Sequence, residues 1–164
     1  MVNKVIVIGL GNPVLGDDGV GWRVAELVRA WVDPPDSGRV EGTGIDVDCL
    51  AGGGLSVMER LVGYDQAVMV DAINLGSAPV GSVQVVRLVD LPNPFAGHLG
   101  SAHETHLRMA LELGRSLGAH LPEQVMVVAI ESPYVYDFSE ELTPLIEAAV
   151  PEAVEAVLKL LKIK

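Results

Sequence analysis

Residues 5–21, Val-Ile-Val-Ile-Gly-Leu-Gly-Asn-Pro-Val-Leu-Gly-Asp-Asp-Gly-Val-Gly, constrain this chain more than any other stretch. The β-branched run over Lys4–Gly9 reads as a buried strand. It ends in a glycine-rich turn. Apolar Val20, Val24, Leu27, Val28 and Trp31 then recur at helical spacing over Asp18–Val32, and Pro34-Pro35 stops the helix. A strand–turn–helix opening commonly serves a phosphate, because helix N-termini attract anions. Here the turn carries two adjacent acids, Asp17 and Asp18. They repel phosphate and suit a cation. Either also fits the N-cap of the following helix, where a carboxylate complements the macrodipole. Capping and metal ligation are both open at this point.

The rest of the chain repeats the alternation. Gly44–Leu50 reads as a second strand, and the glycines at 52–54 precede a short helix over Leu55–Val62. Gln66–Val70 is a third strand ending at Asp71. Ser82–Leu88 is a fourth, entered by a hairpin-like turn over Gly76–Gly81. After a Pro/Gly-rich loop at 91–100, Ser101 and Glu104 fit a capping box for a helix running to Leu117 and closed by Gly118. Gln124–Ile130 is a fifth strand and 131–141 a loop. Thr143 and Pro144 stand as N-cap and N1 of a last helix that Pro151 should kink or restart. The pattern predicts a single α/β domain over residues 1–164. We expect a three-layer sandwich with a twisted, mostly parallel five-stranded sheet flanked by helices. Ligands in such folds bind beyond the carboxyl ends of the strands.

Composition narrows the function. A formal net charge of −11 opposes a nucleic-acid backbone partner, which needs a basic face. Gly9-x-Gly11 begins a dinucleotide fingerprint, but Val14 stands where its third glycine belongs and two acids would face the pyrophosphate, so no nucleotide is expected. Gly-Leu-Gly-Asn-Pro at 9–13 also resembles the opening of bacterial peptidyl-tRNA hydrolases, but the Thr-Arg-His-Asn segment of that family is absent. Cys49 is the lone cysteine, reads as a core residue, and suits a reducing compartment. With no signal-peptide pattern and no apolar run of about 18 residues, the expectation is a cytoplasmic protein without a membrane partner.

Three polar positions can meet at the carboxyl edge: the Asp17-Asp18 turn, Asp71 at a strand end, and His103 in the first turn of a helix. Two carboxylates and an imidazole make a first shell for a divalent transition metal and leave positions open for water or substrate. The blander readings are helix caps, a strand-end turn former and a helix-start histidine. His106, one turn on from His103, reads as a rim residue. No Ser–His–Asp arrangement is legible, so a covalent acyl-enzyme is disfavoured.

Taken in order, Gly9-x-Gly11-Asn12-x-x-x-x-Asp17-Asp18-Gly19-x-Gly21, Val70-Asp71-Ala72, Ser101-Ala102-His103 and Leu142-Thr143-Pro144 resemble the hydrogenase maturation endopeptidases over nearly the whole chain. The resemblance implies a hydrolase, an aspartic-type endopeptidase. It would remove the C-terminal extension of a nickel–iron hydrogenase large-subunit precursor after nickel insertion. It implies metal contacts at Asp18, Asp71 and His103, with Asp18 and Asp71 in the catalytic machinery. The metal it implies is nickel, carried by the substrate. Some members have Glu where Asp18 stands, which is one methylene longer. The rival from another class is a non-catalytic, metal-dependent binding protein or chaperone for the same precursor.

Overall fold

The computed structural model of the chain describes residues 3–34, 44–91, 102–133 and 137–163, the side chains of residues 102–106 excepted. Its spine is a five-stranded sheet built from β1 (Val5–Leu10), β2 (Ile45–Leu50), β3 (Gln66–Ile73), β4 (Val83–Arg87) and β5 (Gln124–Glu131), in the order β2-β1-β3-β5-β4. β1, β2, β3 and β5 are parallel, and β4 runs antiparallel on the outer edge of β5. The α/β sandwich and the mostly parallel sheet are as the sequence pattern predicts.

The helices divide between the two faces. On one, α1 (Val20–Val32) and α4 (Pro144–Leu160) bury Val24, Val28, Ile146, Val150 and Val157 against Val7, Val68, Val70, Val128 and Ile130 of the sheet. On the other, α2 (Gly54–Leu61) and α3 (Ala102–Ser116) bury Val57, Leu61, Leu107 and Leu111 against Ile6, Ile8, Met69, Ile73 and Val127. The central strands are apolar on both faces, which explains their uninterrupted Val/Ile runs. Each fully buried Val, Leu or Ile contributes roughly 1.5–3 kcal/mol.

Four expectations need correction. The Gly76–Gly81 segment does not fold β4 back on β3. β4 pairs with β5 instead, Val83 opposite Ile130 and Arg87 opposite Met126, and the segment carries the chain across the intervening strand position. Leu27 and Trp31 follow the helical period of α1 but are exposed, so the buried stripe is narrower than the apolar pattern. Cys49 lies half-buried on β2, an edge strand, not in the core. α4 runs through Pro151 without interruption. Pro151 is exposed, and the sheet-facing stripe of Val150, Ala153, Val154 and Val157 carries the helix across it. The expected stop of α3 is confirmed. Gly118 adopts φ 84°, and the Ala119 N–H reaches back to the Gly114 carbonyl at 3.0 Å.

Candidate active site

The strand order locates a crevice. From β1 the chain passes through α1 to β2 on one side, then through α2 back across to β3 on the other. The order therefore reverses between β1 and β3, and such switch points open a crevice at the carboxyl ends of the strands. The Asp17-Asp18 turn leaves the carboxyl end of β1, and Asp71 lies near that of β3.

Asp71 stands at the lip. Pairing of β1 with β3 ends at Gly9–Val70, while β3 continues beside β5 to Ile73. Asp71 therefore lies inside β3, opposite Ala129, rather than at its end as predicted. It occupies the first position past the last β1 partner. Its neighbours in strand period, Met69 and Ile73, belong to the α2/α3 face, so Asp71 stands on that face. It is buried to 4% exposure, and a carboxylate taken so far from water has to be compensated.

The turn after β1 is locked by its own groups. The Asn12 N–H donates to Asp18 Oδ2 at 2.7 Å, and the Val14 N–H donates to Asn12 Oδ1 at 3.1 Å. Gly11, at φ 123°, lies so close beneath Asp18 that a Cβ there would come within 1.9 Å of the Asp18 carbonyl oxygen. Glycine is needed at this position on both counts. Gly9 and Gly21 have another purpose. A Cβ on Gly21 would sit 2.4 Å from the carbonyl oxygens of Leu10 and Val70, and one on Gly9 would sit 2.3 Å from the Gly21 carbonyl oxygen. The first turn of α1 thus rests directly on the β1 and β3 backbones.

The capping assignment for the two acids is corrected. Asp17 and Asp18 lie in a 3-10 turn, Gly16–Gly19, and Gly19 occupies the N-cap of α1 with no side-chain cap. The acids have parted. Asp17 is buried and faces the far end of the chain: Thr143 donates its N–H to Asp17 Oδ1 at 2.7 Å and its hydroxyl to Asp17 Oδ2 at 2.8 Å. Asp18 is half-buried, and among the described residues its Oδ1 has no hydrogen bond.

His103 lies in the first turn of α3, and its side chain, like that of His106, lies outside the described residues, as do Ser101 and the Glu104 side chain. The C-terminal end of α3 is held at the amino edge of the sheet, where the Gly63 N–H donates to the His120 carbonyl at 2.8 Å and His120 Nε2 meets Asp65 Oδ1 at 3.0 Å. The helix packs on the α2/α3 face of the sheet, the face on which Asp71 stands. Among the described residues no group of three or more His, Cys, Asp or Glu side chains is gathered for a metal. Asp18 and Asp71 are the two members of the predicted set whose side chains are described.

Sequence reasoning missed two residues. Glu131 ends β5 buried at 6% exposure and accepts the N–H groups of Leu75 (3.3 Å) and Gly76 (2.7 Å), fixing the chain that leaves β3. Arg108, on α3, donates through one terminal nitrogen to the carbonyls of Leu88 and Leu91, while its buried Nε has no partner among the described residues. An acid at a strand end and an arginine on an apolar helix face were the available signals.

A family model described as hydrogenase maturation protease matches residues 40–160. The chain belongs to the hydrogenase maturation protease family. The match includes Asp71 and His103, and whole-chain similarity extends to the Asp18 turn. The hydrogenase 2 maturation protease of Escherichia coli (strain K12) is 27% identical over 161 residues, covering 97% of this chain and 91% of that protein. The hydrogenase expression/formation protein HoxM of Azotobacter vinelandii is 25% identical over 158 residues, covering 96% and 72%. The solved hydrogenase maturating endopeptidase HybD from E. coli superimposes with a TM-score of 0.75 at 26% identity, covering 97% of this chain and 92% of that one. This maturation protease is therefore an endopeptidase, a hydrolase acting in hydrogenase maturation. No helix among its described residues is long and apolar enough to cross a membrane.

Proposed function

We propose that the protein removes a C-terminal extension from a nickel–iron hydrogenase large-subunit precursor once nickel has been inserted, and that nickel held by the precursor is its recognition element. Family membership supports the client class and the reaction. The observation that carries the nickel reading is the contrast in the turn after β1. Asp17 has both oxygens engaged, whereas Asp18 is half-buried with no hydrogen bond to Oδ1 among the described residues, and Asp71 is buried near the carboxyl end of the neighbouring strand β3. Asp18, Asp71 and His103 would contact the substrate's nickel. Carboxylate and imidazole donors suit such an ion, and the carboxylates would be drawn to the metal-loaded precursor over the empty one.

In the reaction a water oxygen adds to the scissile carbonyl carbon, the C–N bond breaks, and the proton goes to the departing amine. The ion supplies Lewis acidity near that carbonyl. Asp71, buried to 4% exposure, would accept the proton of the attacking water. The test is the intact mass of precursor, nickel-loaded and nickel-free, after incubation with the protein. C-terminal mass loss in the loaded sample alone is the expected result. Loss in both samples removes nickel as the recognition element. Stable complex formation without mass loss favours a binding or chaperone role.

A further inference from the structure

Asp17 is a buried acid next to the site that the reaction above leaves without a task. Both its oxygens are taken, Oδ1 by the Thr143 N–H at 2.7 Å and Oδ2 by the Thr143 hydroxyl at 2.8 Å, and its exposure is 5%. A carboxylate so engaged has no oxygen to offer a substrate. Thr143 is the N-cap residue of α4, yet its hydroxyl does not cap its own helix. A threonine at that position ordinarily turns its oxygen to the N–H groups of the first turn. Here it donates away, to an acid 126 positions earlier in the chain, while its carbonyl accepts the Glu147 N–H at 2.9 Å. Asp17 thus caps α4 from outside, where the positive end of the helix dipole favours a carboxylate.

Further bonds tie the same two segments. The Gly16 N–H donates to the Ser139 carbonyl at 2.7 Å, and the Ser139 N–H donates to the Val14 carbonyl at 3.0 Å, forming a parallel bridge at Leu15–Ser139. The turn that carries Asp18 is therefore held from outside by the 139–143 segment and from inside by Asn12.

We propose that Asp17 and Thr143 form a positioning pair: through their paired hydrogen bonds the N-terminus of α4 holds the turn after β1 so that Asp18 faces the crevice. The proposal rests on the reading of Asp18 as a substrate-contacting residue. Asp17 itself touches no substrate and is not a catalytic residue.

Processing of nickel-loaded precursor by purified D17A, D17N, T143V, T143S and the D17A/T143V double variant tests this, with kcat and KM measured separately and Tm followed for each. D17A and T143V are expected to lose about tenfold to a hundredfold in kcat with KM little changed, the scale that a misplacement of about 1 Å costs. T143S keeps the hydroxyl and should retain most of the turnover. D17N should also recover turnover, since its amide oxygen accepts the Thr143 N–H and its NH2 can donate to Thr143 Oγ. The double variant should be no worse than D17A. Wild-type kcat in both D17A and T143V overturns the proposal. So does a D17N as inactive as D17A beside a fully active T143V, which would make the Asp17 carboxylate a direct participant. If D17A does not fold, T143V against T143S decides: equal turnover overturns the pair, and loss in T143V alone supports it. D18N separates the two readings. Full activity there removes Asp18 from the site, whatever Asp17 and Thr143 do.

Discussion

The acids of this molecule are held in two ways. At the carboxyl edge, Asp17, Asp18 and Glu131 accept N–H and O–H groups of the protein: Thr143, Asn12, Leu75 and Gly76. Along β2, acids meet the Arg60 guanidinium and its hydrogen-bond network. Arg60 Nε lies 2.7 Å from Asp48 Oδ2 and its NH1 reaches the Tyr64 hydroxyl, which donates to Asp46. His120 meets Asp65. An N–H group fixes a carboxylate in place without cancelling its charge. A guanidinium does both. Among the described contacts, Asp17, Asp18 and Glu131 therefore keep their charge, which suits a cation arriving with the substrate, while Asp48 is neutralised by Arg60.

Exchanging one acid for its amide in each region sharpens this contrast most. Asp71→Asn preserves size and removes charge at the crevice, and we expect processing to fall by about a hundredfold or more with the fold retained, on the scale of several kcal/mol that a charge interaction with a metal can supply. Asp48→Asn, on the cation-paired side, should process normally. Equal processing by the two variants, read as precursor turnover beside matched circular dichroism spectra, would end the distinction.

The next effect is on stability. Gly21→Ala drives a methyl into the Leu10 and Val70 carbonyls at 2.4 Å, and the neighbours there are backbone. We expect a loss of about 3 kcal/mol, at the upper end for overpacking, and a Tm lower by about 6–12 °C for a chain of this size. Gly53→Ala meets nothing within 4 Å and should leave Tm unchanged. A harmless Gly21→Ala would mean that α1 does not rest on the sheet at the crevice.

These glycines show where the sequence was readable and where it stopped. The strand and helix order follows from local period, and all five strands and four helices stand where the apolar runs put them. The placement of β4 was not legible, because a hairpin-like turn and a crossover to the far side of β5 both need glycines and prolines over 76–81. Asp18 and Asp71 could be nominated because acids after buried strands are unusual. The separate task of Asp17 was invisible. Its partner Thr143 is 126 positions away, and local rules assign both residues to the caps of their own helices. Only the tertiary fold brings one to the other's helix.

A pH titration tests the neutralised side. Burial pushes the Asp48 carboxyl up, but the Arg60 guanidinium and the Cys49 N–H pull it further down, leaving it below the usual carboxylate range. A carboxyl depressed in the folded state contributes stability that is present above its unfolded pKa, near 3.9, and is lost as pH falls through the lower folded value. Asp48→Asn should therefore be less stable than the parent at pH 7, with the difference shrinking at an acid pH below the usual carboxylate range. Both partners are about a third exposed, so the effect is a few tenths of a kcal/mol. Urea midpoints at the two pH values measure it. A difference that grows as pH falls would reverse the assigned sign.

The smallest expected effect is at Cys49, on the same strand. Burial pushes its thiol up, away from the thiolate that a nucleophile requires. It is half-buried on β2, one strand removed from the β1–β3 crevice, and its N–H is engaged with Asp48 Oδ1 at 2.9 Å. Cys49→Ala should process precursor at the parental rate and lose less than about 1 kcal/mol, since only a partly exposed sulfur is removed. Treatment of the parent with a thiol-alkylating reagent should likewise leave turnover intact. A folded but inactive Cys49→Ala would move chemistry from the carboxyl edge to β2 and make the cation-paired region the functional one.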